Sequence, residues 1–293
     1  MPELAEVEYV ARQLRGSIIG ARITAVAVLW PRAVTHPDPA TFIAEIVGCS
    51  ITAIERRAKV LLVALSGDQV LTIHRRMSGN LTLLSPHEPD EPYIRVAFDL
   101  DTGQRLIFTD PRKFGRLELW SRAEMATVLA HFGPEPLEPD FTPARLATIL
   151  GVSQRAIKAL LLDQNAIAGL GNIYADESLF RAGIHPLRPA ASLNTDEIER
   201  LHHAIITALE IGIEHGGTTF GRHRDLFGTA GTNLDHILVY QHTGQPCVSC
   251  GTPITKITVA QRGTHFCPRC QPPPTPPLSS NDTAPTLKLS GEP

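Results

Sequence analysis

No apolar run in this sequence is long enough to span a membrane. The longest aliphatic stretch, "VLLVAL" at 60–65, falls far short of the ~20 residues a spanning helix needs. The start, "MPELAEVEYV", carries acids where a leader would carry Lys or Arg, and it has no apolar segment. No signal peptide is expected, and the expected location is cytoplasmic. A basic excess is missing too. With 27 Lys and Arg against 30 Asp and Glu, the net charge is -3, which argues mildly against nucleic acid, since basic domains are its usual footprint. Cysteine is scarce at five residues, so a disulfide-stapled scaffold is not indicated.

What is present is arranged unevenly. Basic residues gather at 55–80 (Arg56, Arg57, Lys59, His74, Arg75, Arg76) and at 216–270 (Arg222, Arg224, Lys256, Arg262, Arg269). Acids gather at 88–101, 135–140 and 196–200. One basic face on an acidic body is one reading; a scatter of solvated charges is the other. Four of the five cysteines lie in the last quarter, and Cys49, after an apolar segment, is expected to be a buried small hydrophobe.

Leu4, Val7, Val10, Ala11 and Leu14 share a stripe at helical spacing, which predicts an amphipathic helix over 2–15. Pro2 suits a first turn, where its missing N–H is not needed. From 20 to 120 the runs are β-rich and separated by Gly, Pro, Asp and Ser, with hairpin turns expected at "SGDQ" and "DTGQ". That spacing suggests an antiparallel sandwich or barrel. A short helix is expected at 121–131. The proline-rich "FGPEPLEPDFTP" at 132–143 reads as a hinge, after which the period becomes helical. The fold class is α+β and multidomain. The expected division is 1–131 for the helix and sandwich, 132–143 for the hinge and 144–235 for a helical domain. A metal ribbon at 236–271 and a disordered tail at 272–293 complete it. The Gly/Thr-rich, aperiodic segment 216–236 is a long loop of the kind that carries function.

Cys247-x2-Cys250 and Cys267-x2-Cys270 bracket sixteen residues that alternate into a hairpin. Each knuckle presents two thiolates, and two knuckles complete a tetrahedral site for one structural zinc. Paired disulfides are the alternative, disfavoured by a cytoplasmic location. Arg262 falls near the hairpin tip. A second motif, "DQNAIAGLGNIYADESLF", frames a tight turn with Gly169 and Gly171 ahead of a helix from Asn172. Such a turn either packs helix against helix or offers its N–H groups to phosphate.

Together "MPELAEVE", "ERRAKVLLVAL", "HRRMSGNL", "FTDPRKFGRLELW", "FGPEPL", "IKALLLDQNAIAGLGNIYADESLFRAGIHPLR", "GGTT" and "PCVSCGTPITKITVAQRGTHFCPRCQ" resemble the formamidopyrimidine-DNA glycosylases of the helix-two-turn-helix group. The resemblance runs from residue 1 to about 271. It implies a bifunctional glycosylase and AP lyase of base-excision repair. The partner would be double-stranded DNA bearing an oxidised purine or an abasic site, held between two lobes by a monomer with no membrane association. It implies that methionine is removed and that the Pro2 amine is the nucleophile, with Glu3 as general acid/base, Lys59 in acid/base and phosphate work, and Arg262 on a phosphate. Glu6 would support the helix. Met77, Arg112 and Phe114 would fill the gap left by a flipped nucleotide. His74, Asn172, Tyr240 and Lys256 would grip phosphates. Tyr93 and Gln154 stand at DNA-contacting positions where a histidine and a basic residue are usual. Other departures are Ala5 for a second proline and Arg75-Arg76 for Leu-Gly before "MSG". The loop 220–236 departs most, at the place that meets the flipped base. An endonuclease VIII-like enzyme for oxidised pyrimidines, and a zinc-ribbon DNA-binding protein without chemistry, are the alternatives.

Overall fold

The first helix, α1 (Leu4–Ser17), begins where Glu3 closes a capping box with Glu6, each carboxylate accepting an N–H of the other's neighbourhood. It buries two faces. Val7, Val10, Ala11 and Leu14 enter one core, and Leu4 and Ala5 enter another. This is why an alanine stands at position 5: it is fully buried against the helical lobe. In this computed structural model, residues 2–219, 221 and 223–273 are described; the tail expected at 272–293 lies outside them beyond 273.

The first core is a sandwich of two sheets. One sheet orders β1 (Ile23–Val28), β7 (Ile94–Leu100), β8 (Arg105–Thr109) and β6 (Asn80–Leu84), all antiparallel. The other orders β2 (Val34–His36), β9 (Arg116–Ser121), β5 (Gln69–His74), β4 (Val60–Leu65) and β3 (Ile51–Arg57), with only β2 parallel to its neighbour. Val96, Phe98 and Phe108 from the first sheet meet Leu61, Val63, Ile73 and Leu117 from the second. The expected sandwich is therefore present. A helix over Pro39–Ile46 (α2) is additional. Asp38 caps it by accepting from the N–H groups of Ala40 and Thr41, within a proline-flanked segment that reads as loop. Cys49 is half-buried, its thiol donating to the Glu45 carbonyl at 3.2 Å, so the expected full burial does not hold.

After α3 (Arg122–Leu129) the chain crosses to the second core. This is built from α4 (Pro143–Gly151), α5 (Ile157–Leu161), α6 (Asn172–Ala182) and α7 (Thr195–Glu214). The last helix starts on Asn194 in a capping box with Glu197. The hairpin β10 (Thr255–Val259) and β11 (Arg262–Phe266) carries a third, small core of Phe180, Val239, Cys247, Ile254 and Cys267. Among the described residues no helix is long and apolar enough to cross a membrane.

Candidate active site at the seam of the two lobes

Glu3 sits where the lobes meet. Its carboxylate accepts the N–H of Ile173 at 3.1 Å and of Tyr174 at 3.4 Å, in the first turn of α6. Of the groups that could meet the N–H donors of that turn, it is the Glu3 carboxylate that accepts these two. Gly171 is what admits it. A Cβ at that position would lie 2.2 Å from the carboxyl carbon of Glu3. Burial pushes the Glu3 pKa up; Lys59 pulls it back, and the nearby Glu6 adds to the rise. Burial thus favours the protonated form while the amides of the α6 N-terminus favour the ionised one, opposing pulls that suit a group which takes up and gives back a proton.

Glu6 braces this arrangement. Besides accepting from Glu3 N–H at 2.8 Å, it accepts from the Tyr174 hydroxyl and the Thr218 N–H, each at 2.7 Å. Gly217, at φ +80, makes the approach of the "GGTT" segment possible, since a side chain there would strike Glu6. The expectation that Glu6 supports the helix agrees with these bonds. Pro2 is buried immediately ahead of Glu3.

Lys59 lies on the β3–β4 turn, 8% exposed, next to Ala58 at φ +52. Burial pushes its pKa down, while Glu3 and Glu6 push it up and Arg262 lowers it again. The turn is held by Glu135, which the proline-rich hinge supplies. Its carboxylate accepts from Ala58 N–H at 2.5 Å, Arg56 at 2.5 Å and Arg57 at 2.9 Å. Glu135 is a residue that sequence reasoning missed, because its partners are about 78 residues away.

Arg262 is exposed at the start of β11 and shares the field of Lys59. The hairpin that carries it is bolted to the helical lobe by a buried cluster the sequence did not reveal. Lys158, fully buried, places Nζ 2.6 Å from Asp176 and donates to Thr264 Oγ1 at 2.7 Å; Asp176 accepts from His265 N–H at 2.9 Å. Asn172 donates to the Gly263 carbonyl at 2.9 Å and to the Tyr240 hydroxyl at 3.5 Å. Glu177 accepts the N–H groups of Leu238, Val239 and Tyr240. Lys256 is exposed over Gly263 on the same hairpin. Asp176 and Glu177 read from sequence as surface acids of an ordinary helix. Their only signal is that they fall on a helix already crowded with apolar neighbours.

A second cluster stands on the sandwich lobe. Met77 and Phe114 are 43% and 50% exposed, so neither packs in the core. The Arg112 guanidinium lies 4.8 Å over the Phe114 ring. Asp110, fully buried, organises both turns. It accepts from Ser78 Oγ, from Arg112 N–H at 3.1 Å, and from Phe114 and Gly115 N–H at 2.7 Å. His74 accepts the Arg76 N–H on Nδ1 at 3.0 Å, and burial, with Arg76 and Lys59, holds its pKa down at about 4. It is therefore neutral at pH 7 and offers a phosphate an N–H, not a charge. Tyr93 is half exposed at φ +68 with Arg95 against its ring, and Gln154 is exposed on the α4–α5 connection.

The four cysteine sulfurs lie within 4.8 Å of one another, and all four are free thiols. Four thiolates at that spacing fit one tetrahedral zinc with no open position, so the ion folds the hairpin and takes no part in chemistry.

The chain matches three family models: the formamidopyrimidine-DNA glycosylase N-terminal domain over 1–117, its H2TH domain over 132–223, and the zinc finger found in FPG and IleRS over 244–273. It is 50% identical over 276 residues to a formamidopyrimidine-DNA glycosylase of Symbiobacterium thermophilum, covering 94% of this chain and 90% of that one. It is also 50% identical to that of Chloroflexus aurantiacus over 272 residues, 92% and 98% of the two chains. Among solved structures it resembles a Lactococcus lactis FPG mutant bound to Fapy-dG-containing DNA, with a TM-score of 0.87, 38% identity, and 93% and 100% of the chains covered. A complex of the same species' Fpg with DNA containing an abasic site also gives 0.87, at 37% identity over 92% and 100%. The chain belongs to the formamidopyrimidine-DNA glycosylase family.

Proposed function

We propose that this protein is a bifunctional DNA glycosylase and AP lyase that removes oxidised purines in base-excision repair, acting in the cytoplasm as a monomer. The observation that carries the reading is the convergence at the lobe seam. Pro2 and Glu3 lie buried at the start of α1, with the buried ammonium of Lys59 facing Glu3 and Glu6 and the guanidinium of Arg262 close enough to act on Lys59.

With Met1 removed, Pro2 is a secondary amine. An α-amino group has a pKa of about 8, so a neutral fraction exists near pH 7. Its nitrogen attacks C1′ of the damaged nucleoside, and the bond from C1′ to the base breaks. Glu3, its affinity for a proton raised by burial, passes a proton as the sugar ring opens and then acts as a base. The resulting iminium is an electron sink. Loss of a C2′ proton expels the 3′ phosphate by β-elimination, and a second, δ-elimination releases the 5′ phosphate. Lys59 serves these proton transfers and holds a phosphate, while Arg262 holds the departing one.

The target nucleotide must first leave the stack. Met77, Phe114 and Arg112 fill the space it vacates, two apolar wedges and one planar donor for the orphaned base. His74, Asn172, Tyr240 and Lys256 hold the backbone, with Tyr93 and Gln154 at its margin. A duplex carrying one 8-oxoguanine opposite cytosine, incubated in borohydride, tests the reading. The expected result is a nicked strand and a covalent adduct, both lost in Pro2→Gly. Binding without nick or adduct on any damaged duplex would overturn it in favour of a DNA-binding protein without chemistry.

A further inference from the structure

Arg75 stands where the family resemblance leads one to expect leucine, and it is 2% exposed. Among the described residues it makes no ion pair; Glu6 and Asp225 compensate its charge only at longer range. A buried cation of that kind is costly unless its donors are satisfied. Here Nε and Nη2 make three hydrogen bonds, to two different pieces of chain. Nε donates to the Gly79 carbonyl at 3.0 Å, closing the turn that carries Met77. Nη2 donates to Asn80 Oδ1 at 3.0 Å and to the Arg224 carbonyl at 3.2 Å, in the segment after α7.

That segment, residues 223–229, is fastened to the opposite lobe. Leu226 is fully buried inside the sandwich core, and its carbonyl accepts the Leu83 N–H at 2.9 Å. Gln13 of α1 accepts the Leu226 N–H at 2.9 Å and donates to Asp225 at 2.8 Å. Asp225 in turn accepts from Phe227 and Thr229 N–H, at 3.0 and 2.7 Å. Between this latch and α1 the packing is close: Glu6, Arg75, Thr218, His223 and Asp225 leave a gap of only about 10 Å³, room for at most one water.

We propose that Arg75 is a positioning residue: it fastens residues 223–229 to the Met77 turn before DNA binds, so that this segment and the wedge are held in one register when the base is extruded. A guanidinium can do this because its planar fork spans three acceptors at once; leucine could make none of these bonds. The latch itself rests on the hydrogen bonds above. That a base is extruded beside it rests on the glycosylase reading.

Two measurements on the full-length protein separate these. Hydrogen exchange without DNA should show the amides of 223–229 exchanging at least tenfold faster in Arg75→Leu than in wild type, with α7 and the zinc hairpin unchanged. Single-turnover assays should show excision of 8-oxoguanine slowed at least tenfold in Arg75→Leu, while cleavage of a preformed abasic site stays within twofold. Arg75→Lys keeps the charge but not the fork. It should share both effects, and it is read in place of Arg75→Leu if that variant does not fold. Unchanged exchange, or both activities falling by the same factor, would overturn the proposal. If the wild-type protein cleaves abasic DNA but leaves 8-oxoguanine intact, the oxidised-purine reading fails and the exchange measurement alone decides the latch.

Discussion

Replacing Gly171 by alanine tests whether Glu3 is held where its chemistry requires. The backbone at Gly171 is extended (φ -133, ψ -160), so alanine meets no conformational penalty. Its Cβ would lie 2.2 Å from the Glu3 carboxyl carbon and 2.4 and 2.6 Å from its oxygens. Glu3 is 4% exposed, so it cannot simply swing out into solvent. The carboxylate must leave the Ile173 and Tyr174 amides, losing two charge-assisted hydrogen bonds and overpacking the seam, at a cost of about 2–4 kcal/mol. At about 2–4 °C per kcal/mol for domains of this order, the melting temperature should fall by roughly 4–16 °C. The chemical effect should be larger, since misplacing a reacting group by about 1 Å costs on the order of 100-fold in rate. The assay is single-turnover excision with the melting temperature measured in parallel. A double-mutant cycle with Glu3→Gln isolates the cause. Gly171→Ala should lower the melting temperature in either background but slow excision only where Glu3 is present. Gly171→Ala with wild-type melting and excision within twofold of wild type would refute the placement of Glu3.

Glu135→Ala should destabilise the protein by about 1–3 kcal/mol in denaturant titration, because the Ala58 N–H and one arm of the buried Arg56 lose their acceptor while Glu8 still pairs Arg56. Its lyase rate should fall as the Lys59 turn loosens. Chelation should release one zinc per chain by atomic absorption and abolish DNA binding, while the helical circular dichroism of the rest is retained. Lys256→Ala should weaken DNA binding equally across sequences and reduce the slope of log affinity against log salt by about 0.9, read by fluorescence anisotropy. Burial opposes ionisation of Glu8, but Arg15, with Arg56 and Arg12, outweighs it and holds its pKa below the usual 4.5. The unfolded chain therefore binds the extra proton as pH falls below about 4.5. Stability present above that pH is lost through the folded-state pKa, and Glu8→Gln should flatten this acid limb in pH-dependent melting.

The elements were legible where one local signal sufficed. The stripe of α1, the strand alternation, the Asn194 cap and the four-cysteine spacing all state themselves within a dozen residues or so. The second face of α1 did not, because Leu4 looks like part of the one stripe, and Ala5 like no part of it, until a second core exists to receive them. The site was legible in its residue types but not in its wiring. Gly171 advertises close approach of something, and local sequence offers phosphate as the natural occupant. The actual occupant, Glu3, comes from about 170 residues away. Glu135, Asp176 and Glu177 were unreadable for the same reason: an acid that binds backbone N–H groups of a distant turn looks like any solvated acid. Arg75 was visible as a departure from the family pattern, but its meaning required the Arg224 carbonyl opposite it.

The central claim is that the Pro2 nitrogen bonds to the sugar, and it can be read directly. The protein is trapped with borohydride on a duplex carrying 8-oxoguanine, digested, and the cross-linked peptide sequenced by mass spectrometry. The account predicts a single adduct on the N-terminal peptide beginning at Pro2, with Met1 absent, and no adduct in Pro2→Gly. An adduct mapped to Lys59 or to any other lysine, or one formed with Met1 still in place, would contradict it.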